Sequence, residues 1–556
     1  MMKRVNDTFL GVDTNSGSEQ DLKVGLKPLA KMFYEFIREE GFVRITARTA
    51  HLSALESEPK YVRRTDDPDY VSAVLQHFNE MTEDFLNGDF HTTIEVTEGT
   101  NADARTVEKV VGQKWFKEQK NLAFEQLINW DFGKPGDKVE QIKPGRWKNK
   151  SASKKRGGEK RTQMAELLAK YMHMVLMGKV RNNEEKIIAN LSVTDIQNKS
   201  SQTLCLFEFL NNKDIFGDCY KAMLMKRLLS GNVNNDNERS VLTELGFKQG
   251  INYVRAMETM FRDLQLSDQI QDKFISVWNQ RKPSLQFCQD MNAFTVAVLT
   301  RTAWPPNLHS MDYLRLPDAI EQCKSTFYRW YKSQNKKREL SYHWLQSQAT
   351  VQAKFPRLNP KFNQIELRMT ATQAMILQAF SRDKLKGGHS AKELAEFMGV
   401  EWNTVDNRPE SKEKWEMLKS LLKSMLKPFP DCRGAIILKG PKSGPPILCT
   451  DKFKVNPRFQ SKKRKLHIRV PDDWQQQFDG GERSMKSRKP AMEAAIVRVM
   501  KARSRLKHTE LIAEVTKQIT TFKAIPKEIN RCIGGLIDRD YLERSEDNKR
   551  EYIYKA

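Results

Sequence analysis

One run of residues decides the fold of the C-terminal part of this chain, namely Ala491-Met492-Glu493-Ala494-Ala495-Ile496-Val497-Arg498-Val499-Met500-Lys501-Ala502-Arg503-Ser504-Arg505. Pro490 precedes it, and proline suits the first turn of a helix, where its missing N–H costs nothing. At about 100° per residue the apolar side chains collect on one side, formed by Met492, Ala495, Ile496, Val499 and Met500. Lys501 falls roughly 160° from the centre of that stripe. The run therefore predicts a helix that packs one face and presents Lys501 on the other.

The residues that follow predict a winged helix. A second helix is expected from about Thr509 and a third from Pro526, because each run carries an apolar helical face. Two strand-like runs, 541–544 and 552–554, flank a polar turn and are typical of a β-hairpin. This combination is the winged-helix form of the helix-turn-helix, which is best known from DNA binding. The shape alone does not settle the function.

Upstream, helical periodicity dominates residues 23–283, and strand-like alternation appears at Phe294-Thr295-Val296-Ala297-Val298-Leu299, with Tyr342-His343-Trp344-Leu345 and Thr350-Val351 as partner strands. Helical patterns resume near Thr370 as a second winged-helix-like segment. We therefore predict a mainly α fold with a smaller α/β part. Its divisions are a disordered N-terminus (1–22), a helical bundle (23–283) with an atypical loop (130–161), an α/β domain (284–470) with a winged-helix-like segment (about 370–440), a linker (471–489) and a C-terminal winged helix (490–556).

Composition and residue spacing exclude several kinds of site and of protein. The seven cysteines form no Cys-x-x-Cys pair and the nine histidines no His-Glu-x-x-His, so we expect neither a metal site nor a cofactor. No run approaches about 18 to 20 apolar residues and no signal peptide begins the chain, so we expect an intracellular protein without a membrane partner. The net charge of +24 attracts polyanions or acidic proteins, and Lys462-Lys463-Arg464-Lys465 is the densest ordered-looking basic cluster.

Several motifs follow one another in a fixed order. At the C-terminus these are Ala494-Ala495-Ile496-Val497-Arg498-Val499-Met500-Lys501-Ala502-Arg503, Leu536-Ile537-Asp538-Arg539-Asp540-Tyr541-Leu542-Glu543-Arg544 and Tyr552-Ile553-Tyr554. Upstream they include Lys226-Arg227-Leu228-Leu229, Met260-Phe261-Arg262-Asp263-Leu264, Trp304-Pro305 and Val455-Asn456-Pro457-Arg458-Phe459. In this order they resemble cullins, the scaffold subunits of multi-subunit RING ubiquitin ligases. The terminal motifs resemble the cullin neddylation domain, and the resemblance runs from about residue 23 to the end.

The resemblance implies a function for each candidate site. Lys501 would accept a Nedd-type ubiquitin-like modifier through an isopeptide bond. The strand carrying Phe294, Val296 and Val298 would bind a RING-finger protein, which in turn holds a ubiquitin-conjugating enzyme. The basic surface of Lys462, Lys463, Arg464 and Lys465 would attract acidic parts of that enzyme. The chain would then be a non-catalytic scaffold in ubiquitin-dependent protein degradation, in the cytoplasm and nucleus.

Two alternatives stay open. A full cullin begins with a long stalk of helical repeats that recruits an adaptor, and residues 1–22 cannot supply one such repeat. We therefore expect the repeats to be absent, which argues against adaptor binding and allows a decoy scaffold that binds the RING protein but recruits nothing. The other alternative is a winged-helix nucleic-acid-binding protein. Against it, the third helix of the module carries Glu528, Asp538 and Asp540, which phosphates repel.

Overall fold

The computed structural model describes these residues: 34–38, 75–79, 92–98, 105–111, 113–129, 139–143, 146–149, 164–181, 187–189, 191–231, 234–281, 293–305, 314–344, 347–355, 364–382, 388–400, 402–403, 408–409, 412–428, 432–440, 447–468, 480–545, 548 and 550–555. The chain forms two compact units, residues 1–255 with 480–556, and residues 256–479. The predicted N-terminal segment 1–22 lies outside the described residues.

Helices make up most of the described first unit. They are α1 (Gln113–Ile128), α2 (Met164–Leu176), α3 (Val193–Glu208), α4 (Lys213–Ser230), α5 (Asn235–Gln249) and the start of α6 (Ile251–Arg281). A capping box begins α3, where the Ser192 hydroxyl accepts a hydrogen bond from Asp195 N at 3.1 Å. The buried rings of Phe207 and Phe216 lie 4.8 Å apart between α3 and α4. The predicted predominance of helix is confirmed.

Antiparallel strand pairs precede α1, separate α1 from α2, and separate α2 from α3. They are β1 (Thr92–Glu98) with β2 (Arg105–Val111), β3 (Val139–Lys143) with β4 (Arg146–Asn149), and β5 (Lys179–Arg181) with β6 (Ile187–Ala189). The sequence analysis predicted helix around these strands and an atypical loop at 130–161, which in fact contains β3 and β4. Strand β1 has the sequence TTIEVTE, rich in β-branched residues that favour strands. That local signal was outweighed by the helical periodicity on either side.

A buried ionic network joins α2, α4 and α5. Arg227 of α4 forms an ion pair with Glu238 of α5, and both side chains are almost fully buried. Arg227 Nη1 also donates to His173 Nδ1 at 2.8 Å. The Tyr220 hydroxyl donates to Glu238 Oε2 at 2.7 Å. Burial and the Glu238 carboxylate raise the pKa of Tyr220 well above its usual value, so this hydroxyl stays protonated and remains a donor.

Gly217 of α4 leaves room for Tyr253 of α6. A Cβ at this position would lie 2.7 Å from Tyr253 Oη, an atom that donates to Lys213 O at 2.6 Å. We expect Gly217→Ala to lower the free energy of unfolding by about 1–2 kcal/mol, because the clash outweighs the better helix propensity of alanine. Urea unfolding measures this difference. The matched control is Gly534→Ala in another helix, where a Cβ meets nothing within 4 Å and should stabilise the protein; equal effects of both changes would contradict the steric argument.

The second unit contains the rest of α6, the helix α7 (Asp318–Gln334) and an α/β part. In its sheet of order β16-β8-β7, β8 (Ile365–Thr370) pairs antiparallel with β7 (Gln348–Ala353) and parallel with β16 (Lys465–His467). One face of β8 is buried through Ile365, Leu367 and Met369, as the alternation of a strand requires. Thr350-Val351 is a strand, as predicted, because it forms part of β7. It pairs with β8 and not with residues 294–299, so the predicted pairing is wrong. Tyr342-His343-Trp344, the other predicted partner, does not form a strand.

Within the residues that the structure describes, the region predicted as winged-helix-like contains three helices and three short strands that form one sheet. It runs α8 (Ala371–Arg382), β9 (His389–Ser390), α9 (Ala391–Phe397), α10 (Lys412–Leu426), β13 (Ile437–Gly440) and β14 (Lys452–Val455), with described strands in the order β13-β14-β9. The strand β14 lies beyond residue 440, where the predicted segment ends. Shorter pairs join β10 (Trp402–Asn403) to β11 (Arg408–Pro409) and β12 (Cys432–Arg433) to β15 (Gln460–Ser461).

The terminal module consists of α11 (Gly480–Arg503), β17 (Arg505–Lys507), α12 (His508–Gln518), α13 (Pro526–Ile537), β18 (Leu542–Arg544) and β19 (Glu551–Tyr554). The predicted hairpin strands are confirmed as β18 and β19, and β17 extends their sheet in the order β17-β19-β18. The predicted linker 471–489 is wrong over its second half, because α11 already begins at Gly480. Pro490 lies inside this helix rather than at its start, where the sequence analysis had placed it on the basis of proline's preference for first turns.

Candidate functional site

Lys501 lies in the last turn of α11 with its side chain exposed. The predicted apolar stripe of this helix is buried in the core of the module, with Ile496 and Met500 at 0% exposure. Nearby cations are engaged elsewhere: Arg503 pairs with Glu514 at 3.2 Å, and Arg505 with Glu551 at 2.9 Å. Within the described residues Lys501 itself forms no ion pair. The module thus offers the Lys501 amine to an incoming group.

The end of α11 is fixed by the backbone at Ser504. This residue has a φ of +60°, a left-handed conformation that ends the helix. Its N–H donates to Met500 O at 2.7 Å, and its carbonyl accepts from Tyr554 N at 2.9 Å. The chain then enters β17, which pairs with β19. Lys501 is therefore held one turn before a junction between helix and sheet, at a helix end whose partial negative charge favours a cation.

Arg488, in the first half of α11, ties the module to the helical part of the same unit. Its guanidinium donates from Nε to Asp214 Oδ2 at 2.6 Å and from Nη2 to Asp214 Oδ1 at 2.8 Å. The same group lies 4.9 Å from the centre of the Phe522 ring. Backbone hydrogen bonds at 3.0 Å join Asp214 N to Thr521 O and Lys523 N to Asn211 O. Sequence reasoning placed Arg488 in a linker and missed this contact, because its partner is 274 residues away.

The predicted partner-binding residues Phe294, Val296 and Val298 lie in an extended segment, residues 294–300. Their side chains are half-buried and pack on a cluster centred on Phe274 and Phe327. The segment is not a strand of any described sheet, so the prediction of a strand is wrong in that respect. The alternation that suggested it is real, since Thr295 and Ala297 are exposed. What is missing is a neighbouring strand among the residues that the structure describes.

Side chains of α6 bind the backbone of the extended segment instead. Gln271 donates from Nε2 to Phe294 O at 2.8 Å and accepts at Oε1 from Val296 N at 3.2 Å. Ser267 Oγ accepts from Val298 N at 2.8 Å. Asp263 accepts from Thr300 N at 2.7 Å and from Thr300 Oγ1 at 2.9 Å. We call Asp263, Ser267 and Gln271 the polar ladder.

The sequence analysis did not identify the polar ladder. Its residues are spaced by four, so they lie on one face of the helix. A polar face of a helix usually points to solvent, and the spacing therefore gave no sign of a buried role. All members of the ladder are nevertheless buried, and the Asp263 carboxylate also accepts from Trp304 Nε1 at 2.8 Å. The Trp304 ring is buried at 1% exposure, and its N–H donates to Asp263.

The basic cluster forms the turn between β15 and β16. Lys462, Lys463, Arg464 and Lys465 are all exposed. The Ser461 hydroxyl holds the turn by accepting from Lys463 N at 3.0 Å, and the Arg464 carbonyl accepts from Glu366 N at 2.9 Å. The cluster belongs to the second unit and Lys501 to the first. The cluster thus presents positive charge on an ordered turn.

Other kinds of site receive no support from the residues described. No group of three or more His, Cys, Asp and Glu side chains in them is arranged to hold a metal ion. None of the described helices combines the length and the apolarity that a bilayer crossing demands.

Comparison with known proteins gives consistent matches along the chain. The family model described as the cullin alpha solenoid domain matches residues 18–271, the cullin alpha+beta domain 298–459, and the cullin protein neddylation domain 487–548. The first match corrects one expectation. The helical repeats were predicted to be absent because residues 1–22 cannot supply one, whereas the solenoid model matches the helical region itself. The decoy alternative loses its main argument.

Curated relatives agree with these models. Cullin-1 of Schizosaccharomyces pombe is 25% identical over 540 residues, which are 96% of this chain and 58% of that protein. Cullin-3B of Arabidopsis thaliana is 33% identical over 365 residues, 64% of this chain and 45% of that protein. Human Cullin-4A is 28% identical over 400 residues, 70% of this chain and 47% of that protein. The chain spans about half the length of the curated relatives that it matches.

Proposed function

Because this chain belongs to the cullin family, we propose that it is a non-catalytic scaffold subunit of a RING-type ubiquitin ligase complex. The observation that carries the proposal is an exposed Lys501 in the last turn of a helix whose apolar face is buried, inside the segment that matches the neddylation domain. A scaffold accelerates transfer by holding two reactants together, since this removes translational entropy from the barrier. Such a role requires docking surfaces and an acceptor amine rather than a catalytic group.

At Lys501 the proposed reaction is aminolysis of a thioester. The unprotonated amine attacks the carbonyl carbon at the C-terminus of a ubiquitin-like modifier. A C–N bond forms, the C–S bond to the carrier enzyme breaks, and the nitrogen loses a proton as the thiol departs. The described surroundings of Lys501 contribute access rather than chemistry, since its neighbours Arg503 and Arg505 are held by other carboxylates.

A RING-finger protein is the proposed partner of the extended segment. Among the residues that the structure describes, no hydrogen bond engages the backbone of Thr295, Ala297 or Leu299. An extended backbone with unpaired N–H and C=O groups can accept a partner strand. We call these groups the outer edge of the extended segment.

The RING protein would bring the conjugating enzyme, and the exposed cluster at 462–465 would attract the acidic surface of that enzyme. Location in the cytoplasm and nucleus stays a prediction.

Ala297→Pro tests the docking surface. Proline removes the outward N–H of residue 297 and leaves the hydrogen bonds of Val296 and Val298 to α6 in place. We expect RING-protein binding to weaken about tenfold or more, because a partner carbonyl loses its donor in a desolvated contact. Co-purification at moderate salt followed by titration calorimetry measures the loss. The control is Ala297→Ser, which keeps the N–H.

The outcomes separate two questions. If the unaltered chain retains no RING protein, the scaffold function is wrong. If it does retain one and Ala297→Pro binds equally well, the function stands and the extended segment is not the docking surface.

A further inference from the structure

We infer that α6 takes the place of a β-strand on the inner side of the extended segment, and that the polar ladder of Asp263, Ser267 and Gln271 fixes the register in which a partner strand adds to the outer edge. The inference rests on the proposed function and names positioning residues for it. These residues touch the receiving backbone and not the partner.

The spacing of the ladder explains how a helix can replace a strand. Positions i and i+4 of a helix are separated by about 6.0 Å along its axis. Two residues of a strand advance by about 6.6 Å. A polar side chain at every fourth position therefore meets the backbone of every second residue. The contacts run in opposite directions along the two elements, from Gln271 at Phe294 to Asp263 at Thr300.

Every backbone group of the extended segment that the ladder binds belongs to an even-numbered residue. These are Phe294 O, Val296 N, Val298 N, Val298 O and Thr300 N. In an extended chain the N–H and C=O of one residue point to the same side, and those of the next residue point to the opposite side. Pinning the even residues inward therefore turns Thr295, Ala297 and Leu299 outward. The ladder selects which donors and acceptors a partner meets.

The same geometry describes the partner. Its strand must present N–H and C=O groups to three alternate residues, so proline is excluded at the facing positions. Side chains of the extended segment are half-buried at Phe294, Val296 and Val298 and exposed at Thr295 and Ala297. A strand added beside it continues both faces. The fitting partner is an extended peptide of about five residues or more that alternates apolar and polar side chains, with the apolar ones toward the face that covers Phe274 and Phe327.

Burial gives the ladder its strength. Ser267 is 3% exposed and Asp263 is 7% exposed. Asp263 satisfies three donors at once, two on Thr300 and one on Trp304. Hydrogen bonds to a carboxylate are stronger than neutral ones, and they strengthen further away from water. The ordering entropy of the extended segment is thus lost on folding rather than on binding, which raises affinity for a strand.

Amide hydrogen exchange on the full chain, with and without the RING-finger protein that co-purifies with it, tests the inference. In the free chain we expect slow exchange at Val296, Val298 and Thr300 and fast exchange at Thr295, Ala297 and Leu299. Partner binding should slow the second set. Uniform exchange along the segment in the free chain would overturn the inference, and this result is independent of any partner.

Ladder variants connect this pattern to binding. We expect Gln271→Met and Ser267→Ala to speed exchange at Val296 and Val298 and to weaken RING-protein binding about tenfold each, mainly through faster dissociation. Gln271→Glu keeps an acceptor for Val296 N and should be intermediate. The matched controls are Gln265→Met and Ser276→Ala, the same chemical changes at exposed positions of α6. They should leave both readouts unchanged.

The failures are distinguishable. Faster exchange with unchanged affinity would overturn the positioning role and leave the scaffold function intact. Absence of RING-protein binding by the unaltered chain would refute the scaffold function, while the exchange pattern of the free chain would still decide whether the ladder orders the segment. Thermal unfolding of each variant separates loss of the fold from loss of order in the extended segment. Loss of the fold lowers the melting temperature, whereas disorder of the segment alone leaves it nearly unchanged.

Discussion

Lys501→Arg should abolish attachment of the ubiquitin-like modifier to this chain. Arginine keeps the positive charge, but its guanidinium stays protonated at any physiological pH and does not act as a nucleophile. No described ion pair involves Lys501, and its side chain is exposed, so the substitution should not disturb the module. Reconstituted modification followed by intact mass is the measurement. We expect the mass increase of one modifier on the unaltered chain and none on the variant.

Position can be separated from charge with two further variants. Lys507→Arg removes another exposed lysine of the same module and should leave modification unchanged. Arg498→Lys combined with Lys501→Arg moves the amine about one helical turn along the exposed face of α11. We expect little modification of this double variant, because a transfer enzyme must bring a thioester to one place. Modification of Lys501→Arg at the normal rate would refute the acceptor assignment.

The local periodicity of the sequence predicted the setting of Lys501 well. The buried stripe through Ile496 and Met500 required only a helical repeat, and α13 begins at Pro526 as expected. The limits appear where distant residues meet. The role of Arg488 cannot be read from the sequence, because it depends on Asp214, which only the folded chain brings beside it. Because Arg488 precedes Pro490, and proline is common in the first turn of a helix, the sequence favoured a linker here. In the structure α11 already includes this residue.

The extended segment shows a subtler limit of the same kind. Alternation of Phe294, Val296 and Val298 predicted the conformation and the buried face correctly. It could not reveal what satisfies the backbone, because side chains of a helix replace a strand there. The backbone is satisfied by Asp263, Ser267 and Gln271. In the sequence their spacing of four cannot be told from that of an ordinary solvent-facing polar helical face. The inner partner of a strand is thus a property of tertiary structure.

Removing one partner of the buried ion pair between α4 and α5 should destabilise the first unit more than any surface change. Glu238→Ala leaves Arg227 buried at 1% exposure with its Nε and Nη2 donors unsatisfied. The Tyr220 hydroxyl loses its acceptor as well. An uncompensated buried charge costs about 3–5 kcal/mol. We therefore expect a loss of that size in the free energy of unfolding, measured by urea unfolding followed through helical circular dichroism.

A paired replacement tests whether the charges or the packing matter. Arg227→Met combined with Glu238→Leu removes both charges and retains much of the apolar volume, so it should recover most of the stability lost in Glu238→Ala. Glu238→Gln should fall between the two, because its amide keeps one acceptor for the guanidinium but no charge. If the double variant is no more stable than Glu238→Ala, the network contributes through packing or through Tyr220 and His173, and the electrostatic explanation is wrong.

The ion pair also bears on the terminal module. It ties α4 to α5, because separating the two helices would leave Arg227 without its partner, and α4 carries Asp214, to which Arg488 binds the terminal module. Loss of this ion pair should therefore also loosen the support on which Lys501 is presented.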